Sequence, residues 1–162
     1  MPLCCMDERY EPASEFLKAI VAEEAPISET GFGAENLRRL ISMTRDRDVS
    51  NRDWATMLLS QQDLDTPEVR FALLQAVSDE NDAVRAEALL GLAKRDPVLA
   101  LPYAREALAK DYATMPVFEA AELIADPSLV ELLQPWTEDS GDTWLDDVAR
   151  RAVKACETAS AR

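Results

Sequence analysis

Carboxylates are the chemistry-bearing groups this sequence holds in quantity. Thirty-one Asp and Glu stand against 17 Lys and Arg, and there is no His. Without an imidazole, general acid–base work would need two carboxyls tuned apart in a cleft. No pair here adjoins a nucleophile motif or a Gly-rich loop. Two acidic runs invite a metal reading. Asp46-Arg-Asp-Val-Ser-Asn echoes the opening of a calcium loop, which needs Gly at its sixth position and Glu at its twelfth. This chain has Asn51 and Met57 there. Asp139-Ser-Gly-Asp-Thr fails in the same way and reads as a turn capped by Asp142 or Thr143. Cys4, Cys5 and Cys156 form neither a CxxC pair nor a Cys/His cluster, so they imply no zinc site and no disulfide framework. Cys156 has no His to activate it and reads as an inert packing thiol. The expectation is a protein without catalysis, cofactor or metal.

The charge narrows the partners. A formal net charge of −14 repels a phosphate backbone, which is bound by Lys and Arg displacing counterions. Nucleic acid and anionic membrane surfaces are thereby disfavoured, and a protein partner with a basic surface is favoured. The charge is uneven. Residues 105–147 carry eleven acids against two bases, whereas 38–52 carry five Arg against two Asp. An interface is therefore expected on the acidic C-terminal half. No run of 18 apolar residues offers a membrane span, and the N-terminus lacks the apolar core of a signal peptide, so a cytoplasmic location is expected.

The elements that would position these groups are helical. Ala, Leu, Glu and Arg are abundant, Gly is scarce at 4, and runs rich in β-branched residues are missing. Sliding the chain by 33 places sets Leu40 on Leu73, Asp46 on Asp79, Arg52 on Arg85, Ala55 on Ala88 and Leu59 on Leu92. A second shift sets Val84 on Val117 and Ala88 on Ala121. Such a period marks a repeat in which each unit buries its apolar face against its neighbours. Helices are expected over 13–24, 35–44, from Ser50 or Asn51 to about 61, 66–77, 82–94, 97–110, 115–125, 128–136 and 143–158. Thr66-Pro67, Asp96-Pro97 and Asp126-Pro127 mark starts, because Thr or Asp caps and Pro suits the first helical position. Asp82 is expected to cap its helix, Gly31-Phe32-Gly33 to form a turn, and Pro102 to shift or kink the helix around it.

The stretch Leu74-Gln-Ala-Val-Ser-Asp-Glu-Asn-Asp-Ala-Val-Arg-Ala-Glu-Ala-Leu-Leu-Gly-Leu-Ala resembles one unit of the HEAT repeat family, in the short form first recognised in phycobilin lyases. Asp79, Asp82, Val84, Arg85, Ala88, Gly91 and Leu92 occupy the family positions. The match extends to 35–62, where Asn51-Arg52 replaces Val-Arg, and thins over 97–126, where Phe118 replaces the Arg. The resemblance implies an all-α, right-handed α-α superhelix of about four helical hairpins. One repeat domain is expected over 13–158, with a flexible extension at 1–12 and a disordered tail at 159–162. An acidic turn residue can accept a bidentate bond from the guanidinium of an adjacent unit. Asp46, Arg52, Asp79 and Arg85 would then form a structural ladder.

In solenoids of this family the second helix of each unit lines the concave side. That would set Met57, Leu90 and Leu123 in an apolar row along a groove, flanked by Trp54, Glu87, Glu119 and Glu122. The implied function is a non-enzymatic protein-interaction scaffold that binds through this groove and the acidic C-terminal half. The alternative is a small acidic inhibitor or immunity-type protein that neutralises a basic enzyme or toxin.

Overall fold

In a computed structural model, residues 10–138 and 140–160 are described, and among them every regular element is a helix. The α-helices are α1 (Glu15–Val21), α2 (Gly31–Met43), α3 (Val49–Gln61), α4 (Pro67–Ala76), α5 (Asp82–Arg95), α6 (Pro97–Leu108), α7 (Met115–Ile124), α8 (Val130–Leu133) and α9 (Thr143–Ser160). Two 3-10 turns, Pro127–Leu129 and Gln134–Thr137, flank the single turn of α8. Residues 1–9 and 161–162, with Cys4 and Cys5, lie outside the described residues, as does Asp139.

Successive hairpins stack in register. α3, α5, α7 and α9 pack side by side as an inner layer, and α2, α4 and α6 each cover their own partner from outside. α8 with its 3-10 turns takes the outer place over α9, and α1 closes the first unit against α3. This is an α-solenoid of four hairpins. The repeated apolar positions form its core: Leu40, Ala55, Leu59, Leu73, Ala88 and Leu92 are all fully buried. Gly91 permits close approach. A Cβ there would lie 2.9 Å from the side chains of both Leu73 and Ser60, so α5 could not sit as near to α3 and α4 with a larger residue.

Capping sets the helix starts. Thr66 Oγ1 accepts from Val69 N with Pro67 first in the helix, Asp96 accepts from Leu99 N ahead of Pro97, and Asp126 accepts from Ser128 N ahead of Pro127. Three starts differ from the sequence expectation. The cap of α3 is Asp48, accepting from Ser50 N and Asn51 N, which moves the helix start ahead of Ser50. The cap of α5 is Asn81, extended in backbone, whose side-chain Oδ1 accepts from Ala83 N and Val84 N, so Asp82 already lies in the first turn. Gly31-Phe32-Gly33 opens α2 instead of preceding it, with Gly31 at φ +62° and Gly33 so close to Ser28 that a Cβ would overlap it. Pro102 sits inside α6 without ending it.

Candidate partner-binding groove

The calcium-like run is used by the backbone. Asp46 Oδ1 accepts from Asp48 N at 2.8 Å, Asp48 caps α3, and Asn51 Nδ2 reaches Asp46 Oδ1 at 3.4 Å. Among the described residues no group of three or more His, Cys, Asp or Glu is poised to hold a metal ion. No helix of the described residues is long and apolar enough to cross a membrane.

Of the four ladder residues, two make a side-chain rung between units. Arg52 Nε donates to Asp79 Oδ2 at 2.9 Å and Nη2 to Asp79 Oδ1 at 3.2 Å, while Nη1 donates to the backbone carbonyl of Asp46 at 3.1 Å. Arg85 repeats only the backbone half. Its Nη1 donates to Asp79 O, and its side chain turns to Asp82 on its own helix. The reason lies one repeat on, where the acid of the next turn would fall at 112 and Tyr112 stands there.

A second clamp joins the same two units from the opposite end of α5. Arg95 donates to the carbonyls of Leu59, Gln62, Leu64 and Gly91, and Arg70 bridges Asp65 and Asp96. Nothing in the sequence reading pointed to it, because its acceptors are largely main-chain carbonyls that any residue type supplies.

The inner layer exposes one face, and the expected groove residues fall along it unevenly. Leu123 is 47% exposed, and Trp54, Met57, Glu87, Glu119 and Glu122 are partly buried. Leu90 is only 8% exposed. Flanked by α3 on one side and α7 on the other, α5 buries Ala86, Leu89, Leu90 and Ala93 together. The apolar row is thus broken at its centre, a correction to the continuous Met57–Leu90–Leu123 stripe.

The polar side of the face is more continuous. Glu87 on α5 stands between Asp53 on α3 and Glu119 on α7. Burial, then repulsion from these two carboxylates, pushes its carboxyl up from an ordinary 4.5 to about 7, opposed by Lys94. Lys94 is turned toward α3, donating to Ser60 O at 3.3 Å. Burial also raises Asp53, although a hydrogen bond from Tyr10 favours its ionised form. Farther along, Arg151 on α9 binds Glu122 at 3.1 Å and lies near Glu119 and Asp147. Tyr10, which the sequence offered no reason to select, stacks on Trp54 with ring centroids 5.9 Å apart and donates to Asp53 Oδ2 at 2.7 Å. The Trp54 Nε1 atom is buried and finds no acceptor among the described residues.

The HEAT repeats family matches residues 37–125. The chain belongs to the HEAT repeat family. The matched segment runs from within α2 to the end of α7, the three hairpins whose inner helices carry the acid row. YibA of Escherichia coli strain K12 is 28% identical over 94 residues, covering 58% of this chain and 34% of YibA, and YibA of Escherichia coli O157:H7 matches to the same extent. The chain thus spans about a third of the length of the curated relatives it matches. The crystal structure of Escherichia coli YibA superposes with a TM-score of 0.61 at 20% identity, over 86% of this chain and 55% of that one. At that identity the likeness speaks for the fold. HEAT repeats as a class mediate protein–protein interaction, and their stacked inner helices form an extended binding surface.

Proposed function

We infer that this HEAT-repeat protein is a non-enzymatic scaffold that takes a basic protein segment along its inner face and the acidic C-terminal half. The observation that carries the reading is the row Asp53, Glu87 and Glu119, one carboxylate from each of three consecutive inner helices, with Glu87 close enough to both of the others to feel their repulsion. Like charges set together are unfavourable in the free protein. A cationic partner relieves that repulsion as it binds, so the row favours association with Lys or Arg over association with neutral surface. Exposed Leu123 and half-buried Met57 add apolar contact at either end.

The test is affinity capture from native lysate followed by mass spectrometry. Glu119→Lys and Leu123→Glu alter the inner face without entering the core, whereas Leu90 is a core residue and a poor probe. Phe71→Glu, on an exposed position of outer helix α4, serves as the control. Both inner-face variants are expected to lose the captured protein and the control to keep it. Recovery of the same partner by all four proteins would overturn the inner-face assignment.

A further inference from the structure

The residues ahead of α1 lie across the start of α3. Pro12 is buried, Ala13 N donates to Ser50 Oγ at 3.3 Å, and Ser14 N donates to Asn51 Oδ1 at 2.9 Å. From this anchor Tyr10 reaches one turn further along α3. There its ring stacks on Trp54, 5.9 Å between centroids and 22° between planes, and its hydroxyl donates to Asp53 at 2.7 Å. The residue as a whole is nevertheless 60% exposed and takes no part in the core. Tyr10 therefore rests on the inner face as a ligand would, at the head of the acid row that continues through Glu87 and Glu119.

We propose that Tyr10 occupies a subsite built for a tyrosine of the partner, and that the partner segment carries Lys or Arg spaced to reach Glu87 and Glu119. The proposal rests on the groove reading above and names what that groove selects. Two features specify a phenol. Trp54 offers a flat apolar surface for offset stacking. Asp53, partly buried on α3, offers an acceptor that a phenylalanine ring cannot use. The spacing follows from the solenoid. Adjacent packed helices lie about 8–10 Å apart, and a polyproline II segment advances about 3.1 Å per residue and returns to the same face every third residue. A peptide crossing from α3 to α5 to α7 in that form would thus place its cations about three and six residues from the tyrosine. Because the subsite is already filled, the partner must displace Tyr10, and its apparent affinity falls by the fraction of molecules in which the subsite is closed.

The test uses the full chain and a fluorescent synthetic peptide, Lys-Ser-Ser-Lys-Ser-Ser-Tyr-Ser-Ser-Lys-Ser-Ser-Lys, whose cations serve either direction of binding. Two companions carry Ala or Phe in place of the central Tyr. Anisotropy titration is expected to rank Tyr above Phe above Ala, with Tyr about tenfold tighter than Ala. Tyr10→Ala is expected to tighten the Tyr peptide about fivefold and leave the Ala peptide unchanged. Asp53→Ala is expected to erase the preference for Tyr over Phe. Equal binding of the Tyr and Ala peptides overturns the subsite while leaving the groove reading intact. So does a Tyr10→Ala variant that binds the Tyr peptide no better than the parent. Failure of every peptide to bind either protein overturns the groove reading together with it.

Discussion

Removing the rung between the first two hairpins tests how the units are joined. The Arg52 and Asp79 side chains are 11% and 13% exposed, so their pair is largely withdrawn from water. The guanidinium makes two bonds to the carboxylate and one to Asp46 O, and Asp79 Oδ1 also accepts from Asn81 N at 2.9 Å. Breaking a pair of this kind leaves its partner desolvated and uncompensated, which costs about 3 kcal/mol. Arg52→Ala and Asp79→Ala are each expected to fall near that figure. In the double variant neither charge is stranded, so the losses should not add, and a coupling of about 2 kcal/mol is expected. Glu80 touches the same guanidinium but is 88% exposed, so Glu80→Ala should stay within about 0.5 kcal/mol. Urea unfolding followed by circular dichroism measures all four proteins. A coupling below about 0.5 kcal/mol would show the rung to be an ordinary surface pair rather than a desolvated one.

Three further outcomes follow from the structure. Glu87, raised from 4.5 to about 7, binds a proton more tightly folded than unfolded, so its contribution is complete below pH 4.5 and is lost as pH rises through 7. Glu87→Gln should therefore flatten that decline and leave the variant more stable above pH 7 by about 2 kcal/mol, read from unfolding curves across pH. Gly91→Ala sets a Cβ at 2.9 Å from Leu73 and Ser60, an overpacking cost of about 1–3 kcal/mol that exceeds the roughly 1 kcal/mol gain in helix propensity. A variant more stable than the parent in thermal melts would contradict the close approach of α5. Cys156 is fully buried, and burial first, then the nearby Asp126, pushes its thiol up to about 11. It should resist alkylation at pH 8 in the folded protein and react at the rate of a free cysteine in urea, as mass spectrometry of peptides containing Cys156 would show.

The parts of the fold that were legible are those where one residue type has one job. Leu59 with Leu92 and Ala55 with Ala88 recur because each unit meets its neighbour in the same way, and all four are fully buried. Thr66-Pro67 and Asp96-Pro97 were readable because caps depend on local backbone alone. Choosing among adjacent candidates was harder. Asn81 and Asp82 are both competent caps, and only the backbone angle at 81 decides between them. Helical periodicity put Leu90 in the groove row, but periodicity describes one helix, and α5 has neighbours on both flanks. Arg52 pairs with Asp79, yet the spacing of 33 could not say that Arg52 would cross to Asp79 while Arg85 stayed on its own helix. The Arg95 clamp left no trace because carbonyl acceptors have no sequence signature. Tyr10 was invisible because its partners stand 43 and 44 positions away in the chain.

The most direct test of the inner face as the recognition surface is a two-dimensional amide NMR titration of the whole chain with the lysine-rich peptide carrying Ala at its centre. Progressive shifts are expected on α3, α5 and α7, strongest around Asp53, Met57, Glu87, Glu119 and Leu123, with the outer helices α2, α4 and α6 unmoved. Shifts centred on the outer helices, or spread evenly over the acidic residues of the whole surface, would contradict recognition by the inner face.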